Sequence, residues 1–254
     1  SLFRELGNTS LDVSVVVVDN NSEDNIEQFL KEQYPAVQFI GLPDNEGFGK
    51  AQNKGLAAQE AKYYFALNPD TQYTSDGHTI QALYDYIEAH PLIDMISPKI
   101  VYPDGSLQHS CWRFPSLLQP LYNRTKLGNT KHGKRLKERH HMKDFDHNKT
   151  IPVDALMGSA MFVRGQALKD VGMFDERFWM YFEDIDWCVR MWEHGWPVYY
   201  VNDIEITHLH GRGSAQVPGL FKAFFKNKLF RVHIMSWLKY MWKWRKAMKY
   251  YAGK

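Results

Sequence analysis

Three short acidic or imidazole-bearing motifs hold most of the chemistry this sequence can do. Asn68-Pro69-Asp70 stands directly behind an apolar run, Tyr63–Leu67. A carboxylate in that place can hold a hard divalent cation through oxygen, with a diphosphate supplying the remaining ligands. An Asp turn ahead of the next element is the plainer reading of the same tripeptide. Glu183-Asp184 follows a segment, residues 172–182, that contains five aromatic residues. Carboxylates beside an aromatic wall and beside one another have their proton affinity raised toward the range useful for a general base. They serve equally well as caps for a helix that starts near Asp184. His208 and His210 share one face if a strand continues through them, and can then share a metal. Arg212, just behind, has the fork geometry that suits a diphosphate.

A fourth motif is backbone chemistry. Residues 45–55 place Gly47 and Gly49 at a loop-to-helix junction, where free N–H groups can meet an anion; a tight turn explains the glycines as well. Neither G-x-G-x-x-G nor G-x-x-x-x-G-K-[ST] is present, so a dinucleotide dehydrogenase and a P-loop enzyme find no support.

Positioning these residues requires strands that end where the motifs begin. Residues 13–18 form a β-branched apolar run bounded by Asp19-Asn20-Asn21-Ser22, the pattern of a buried parallel strand entering a ligand-side loop. Further strands are expected at 37–42, 63–67, 95–101, 155–163 and 198–201, and helices at 23–33, 47–61, 79–90, 166–171 and 184–194. Strands alternating with helices at this pitch predict an α/β fold with a mixed, mainly parallel sheet flanked by helices, its ligand site beyond the carboxyl ends of the strands. The loops after Val18 and Leu67 should then be spatial neighbours.

The chain has 254 residues, 44% of them hydrophobic and 24% charged, which excludes a disordered chain. Two distant cysteines exclude a disulfide framework and a cysteine-built zinc site. The net charge of +2 is unevenly spread: residues 219–254 contain ten Lys or Arg and no acid, which leaves residues 1–218 at −8. Residues 114–150 are polar, basic and rich in histidine (His132, His140, His141, His147), which reads as a mobile surface insertion rather than a metal or phosphate site. The tail combines cations with aromatics at helical spacing. Its candidate apolar face is Phe221, Phe225, Leu229, Val232, Met235, Leu238 and Trp242, with the first turns expected to dock on the body and residues 237–251 to touch lipid. A nucleic-acid module would use the same basic and aromatic residue types, but it leaves the acidic body and its ordered carboxylates unexplained, so no nucleic-acid partner is expected.

Taken in order, the motifs D-N-N-S, N-x-G-F-G-x-A-x-N-x-G-L, L-N-P-D-T, G-S-A-M-F-V-R, V-G-M-F-D-E-R-F-W-M-Y-F-E-D-I-D-W-C-V-R and H-x-H resemble family 2 glycosyltransferases of the GT-A fold. Within that family the chain looks most like bacterial rhamnosyltransferases of O-antigen and related surface polysaccharides. The resemblance spans residues 11–214 and is densest over 158–190. It implies that Asp19, with Asn20, contacts the nucleotide, and that Asn45, Gly47, Gly49 and Asn53 belong to the donor-side loop and helix. It also implies that Asp70 holds Mg2+ or Mn2+ on the diphosphate, with Asn68 where the family's motif has its first aspartate. Asp184, with Glu183 beside it, becomes the general base, His210 an additional metal or diphosphate contact, and Arg212 a diphosphate contact.

The implied reaction is inverting transfer from a nucleotide-diphospho-sugar, dTDP-rhamnose, to a lipid-linked oligosaccharide, by an enzyme peripheral on the inner face of the bacterial cell membrane. The family's opening strand has no counterpart ahead of residue 11, so a GT-A domain over 1–218 is expected to lack its first strand and to bind sugar nucleotide poorly, an inactive truncated enzyme being the alternative.

Overall fold

The computed structural model describes residues 1–73, 77–116, 119–209 and 227–246. Its first half runs α1 (Leu2–Gly7), β1 (Val16–Asp19), α2 (Ile26–Gln33), β2 (Gln38–Gly41), α3 (Phe48–Ala57), β3 (Tyr63–Leu67), β4 (Thr71–Tyr73), α4 (Thr79–Ala89), β5 (Met95–Val101), β6 (Leu107–Gln108) and β7 (Cys111–Trp112). There follow α5 (Gln119–Arg124), α6 (Lys131–His140), β8 (Ile151–Pro152), β9 (Ala155–Leu156), β10 (Ala160–Arg164), α7 (Gly165–Val171), α8 (Glu183–Glu193), β11 (Val198–His208) and α9 (Lys228–Trp244).

The main sheet follows the path β3-β10-β5-β11-β4, with β6 added on β5 and β8 on β11. Strands β3, β5 and β11 run the same way, while β10 and β4 run against them. Central β5 is buried at every position but Lys99, as befits a strand covered on both faces. On one face α4 presents Leu83 and Ile87 to Ile96, Phe162 and Val201. On the other, α7 and α8 enclose a larger core around Met161, Trp187, Met191 and Tyr200. Strands β1 and β2 pair in parallel as a separate ladder, and α3 packs on both β1 and β3.

This topology gathers the motifs at one end of the sheet. Leu67, the last residue of β3, pairs with Ala160 at the start of β10, and His208 at the end of β11 pairs with Thr71. Asn68-Pro69-Asp70, Gly158-Ser159 and His208 therefore share the carboxyl-end rim of β3 and β11, where open α/β sheets bind ligands.

Two expectations are corrected. The histidine-rich stretch is folded, not a loose insertion. Thr130 caps α6 by accepting from the Gly133 N–H, Arg113 and His140 exchange two hydrogen bonds, and the Phe114 N–H donates to Asp154. Phe114 and Met142 are buried in the main core, so two well-placed apolar anchors outweigh a polar composition.

The tail helix docks through its first turn, as expected, but with the other face and along its whole length. Phe230, Tyr240 and Met241 are buried, and Trp237 and Trp244 pack on the core. Met235 (54% exposed), Leu238 (47%) and Trp242 (70%), from the face expected to be apolar, point outward. A helix apolar on two stripes can bury either one. The buried stripe is the one whose Lys243 and Trp244 meet Asp186. Phe221, Phe225 and residues 247–251 lie outside the described residues.

Candidate functional site

Asp184 and Glu183 open α8, and the turn that delivers them is unusual. Tyr181 and Phe182 both adopt left-handed backbone, with φ of 68° and 69°. For residues with a Cβ this costs about 1–3 kcal/mol each, and it persists only where the surroundings over-determine it. Phe182 makes no side-chain cap, so the first turn draws on the acids. The Asp184 carboxylate accepts from the Gly158 N–H through Oδ2 (3.0 Å) and from the Ile185 N–H through Oδ1 (2.8 Å). Cap and base are thus compatible roles for one side chain.

Burial pushes the Asp184 carboxyl above the usual carboxylate range, partly offset by those two N–H donors. Glu183 is pushed well above its usual value, by burial first and by the Asp184 charge second. Two neighbouring carboxyls in unequal surroundings divide the work of acid and base. Asp184 is half-buried, and its two N–H donors favour the charged form.

Gly158-Ser159 links this pair to the other acid motif, because the Ser159 carbonyl accepts from the Asn68 N–H (2.9 Å). A side chain at Gly158 would press on Asp184 and on the Phe48 ring, each 3.3 Å from its Cβ. Asp70 lies 3.1 Å from His208 Nε2 through Oδ1, and its carbonyl accepts from the Leu209 N–H. The other ring nitrogen of His208 faces Gln108 Oε1 at 2.7 Å. The described partner of Asp70 is therefore His208. His210 and Arg212 lie outside the described residues.

The residues present fit a divalent ion. Asn68 Oδ1 is buried with no hydrogen-bond donor among the described residues, while the Asp70 side chain is 42% exposed. Among the described residues no group of three or more His, Cys, Asp or Glu side chains can hold a metal unaided. Remaining ligands would come from diphosphate and water, the usual arrangement for Mg2+.

The donor-side residues form one hydrogen-bonded strip. Asn20 donates to Asn45 Oδ1 (3.2 Å) and to the Gly47 carbonyl (3.1 Å), and accepts from the Glu46 N–H (2.8 Å). Gly47, at φ 92°, leaves no room for a Cβ, which would lie 2.1 Å from the Trp179 carbonyl oxygen. That carbonyl accepts from the Phe48 N–H at the start of α3, and Trp179 Nε1 donates back to the Asn45 carbonyl. Trp179 was not singled out in the sequence, although its place in the aromatic segment marks it. Asp19 accepts from the N–H and hydroxyl of Ser22. Gly49 and Asn53 pack the donor-side helix against the 174–183 segment. Asn53 exchanges both its amide hydrogen bonds with the Phe174 backbone, and Gly49 permits close approach of the 174–183 segment. They fix the wall of the site.

The family model for glycosyl transferase family 2 matches residues 1–171, more than half of the chain. The chain belongs to glycosyltransferase family 2. Among its relatives, the N-acetylglucosaminyl-diphospho-decaprenol L-rhamnosyltransferase of Mycobacterium tuberculosis is 31% identical over 229 residues, covering 83% of this chain and 71% of the relative. The dTDP-rhamnosyl transferase RfbF of Shigella flexneri is 26% identical, covering 81% and 63%. Among solved structures, GalNAc-T7 with UDP, GalNAc and Mn2+ superposes with a TM-score of 0.54 at 14% identity, covering 78% of this chain and 38% of that one. S. aureus TarS superposes at 0.52 and 17% identity, covering 82% and 55%. The expected GT-A fold is thus the observed one. This family 2 glycosyltransferase keeps its acid pair and its Asn-Pro-Asp turn on one rim of that fold.

Proposed function

We propose that this glycosyltransferase moves rhamnose from dTDP-rhamnose, with inversion, to a hydroxyl of a polyprenyl-diphosphate-linked saccharide in bacterial surface-polysaccharide synthesis. The observation that carries the reading is Asp184, held by the Gly158 N–H at the rim it shares with Asn68. Relatives whose names specify rhamnosyl transfer supply the donor and acceptor classes.

Asp184 takes the acceptor proton as the acceptor oxygen bonds to the anomeric carbon, whose bond to the diphosphate oxygen breaks from the opposite face. Asp70 and Asn68 would hold Mg2+ or Mn2+ against the diphosphate, where such an ion neutralises the leaving group. The strip Asn20, Asn45, Gly47, with Asp19, receives the nucleotide, and Arg212 and His210 are assigned to the diphosphate. Incubated with a panel of nucleotide sugars and a polyprenyl-linked acceptor, the enzyme carrying the family's opening strand is expected to release dTDP from dTDP-rhamnose and only when acceptor is present. Release from a UDP- or GDP-sugar instead would replace the donor assignment.

No helix of the described residues is long and apolar enough to cross a membrane. The outward stripe Met235, Leu238 and Trp242, flanked by exposed Arg231, Lys239, Arg245 and Lys246, supports peripheral binding to the anionic inner face of the cell membrane. Anionic vesicles are expected to pellet the wild type but not the double variant Leu238→Glu, Trp242→Glu. Equal pelleting of both would remove this surface from the reading.

A further inference from the structure

The segment that carries the acid pair is gripped along its whole length by one face of α9. At its base, Lys243 Nζ contacts both Asp175 (2.7 Å) and the fully buried Asp186 (2.7 Å), tying together residues eleven positions apart in sequence. Trp244 Nε1 and Arg190 Nε add donors to the same Asp186 carboxylate, at 2.8 and 3.0 Å. One turn back, Lys239 donates to the Arg177 carbonyl (2.7 Å). The Ser236 hydroxyl donates to the Met180 carbonyl (2.8 Å). At the far end the His233 ring packs on Tyr181 and Phe182, with centroids 5.1 and 5.3 Å away.

Positions 233, 236, 239 or 240 and 243 recur at helical spacing, so these contacts form a single stripe running along the segment. The end of the stripe lies on the two left-handed residues immediately ahead of Glu183. Strained backbone of that kind holds only while its neighbours fix it. Hydrophobic docking alone would not require two backbone carbonyls, the part-exposed Asp175 and the buried Asp186 to find their donors on one helix.

We propose that α9 is the positioning element for the acid pair, and that Lys243 is a positioning residue which sets the placement of Asp184 by stapling Asp175 to Asp186. The proposal rests on the reading of Asp184 as base. It adds a part of the machinery some sixty residues further along the chain, in a segment whose composition reads as a surface tail.

The test uses the full chain with Lys243→Met and Lys243→Arg. Lys243→Met is expected to lower kcat about tenfold or more, with donor Kd unchanged within about twofold, because a displacement of the base acts on the chemical step. Lys243→Arg, which keeps a cation between the two acids, should recover most of the loss. Hydrogen exchange, which needs no substrate, should rise at amides 181–186 in Lys243→Met while those of β5 stay protected. If the wild type transfers sugar to no acceptor, the functional reading falls and the exchange result alone decides the positioning. Turnover of Lys243→Met like that of the wild type, unchanged exchange, or a loss shared equally by donor affinity and not rescued by arginine, overturns the proposal. Should Lys243→Met fail to fold, Ser236→Ala removes only the hydroxyl on the Met180 carbonyl and must show the same split between kcat and Kd; wild-type kcat there also overturns it.

Discussion

Asp184→Asn is expected to cut turnover at least about a hundredfold while leaving donor affinity intact, the usual yield of a positioned general base. The amide keeps the size of the side chain and one acceptor for the Gly158 or Ile185 N–H, but it cannot take a proton. Loss of the second charge-assisted acceptor weakens the first turn of α8. Against that, the Asp184 carboxyl is raised by burial, so its ionised form disfavours the folded state at pH above its folded pKa, and this penalty is relieved as pH falls through that value. Replacing it with a neutral amide removes the penalty at neutral pH. The two effects oppose each other, so the net change in Tm should be small. The pH profile supplies the second check. In the wild type kcat falls on the acid side as Asp184 is protonated, and because its carboxyl is raised that limb lies above where an ordinary aspartate would put it. The limb should vanish in Asp184→Asn. Turnover like that of the wild type would transfer the role of base to Glu183.

The elements that present this site were readable because each has a local cause. Residues 63–67 are an apolar run stopped by polar residues, residues 95–101 have apolar ends around Ser97-Pro98-Lys99, and the strands observed, Tyr63–Leu67 and Met95–Val101, coincide with the two stretches expected. The helix expected from residue 184 begins at Glu183. What resisted reading was set by tertiary choice. Two histidines two residues apart offer the same chemistry, and only the pairing of β11 with β4 puts His208 beside Asp70. Asn53 looks like a ligand-binding amide in a glycine-rich stretch, yet both its polar atoms are taken up by the Phe174 backbone. The left-handed turn at Tyr181 and Phe182 has no glycine to announce it. Its cause lies in α9, whose two apolar stripes give no local rule for which faces inward. The folded state of residues 119–150 likewise depends on a few anchors, Met142 within the run, Phe114 before it and Asp154 after it.

Asp70 and His208 should separate in a metal titration. A diphosphate leaving group gains several kcal/mol from a bound divalent ion, and each 1.36 kcal/mol is tenfold in rate, so Asp70→Asn is expected to lose about a hundredfold or more in kcat and to respond little to added Mg2+ or Mn2+. The substitution leaves only neutral amides at positions 68 and 70, and a neutral amide is a weaker ligand than a carboxylate. His208 sits behind Asp70, almost fully buried between it and Gln108. A partner of that kind orients its ligand, and losing it weakens metal affinity about 10–100-fold. His208→Gln should therefore raise the metal concentration for half-maximal rate by about that factor and recover near wild-type turnover when metal is in excess. The two responses differ in kind, saturable for His208 and refractory for Asp70. A wild-type metal response in Asp70→Asn would leave Asn68-Pro69-Asp70 as a turn held by the Thr71 hydroxyl on the Asn68 carbonyl. Its carboxylate would then serve only to anchor the end of β11, and the diphosphate charge would have to be met by cations elsewhere in the chain.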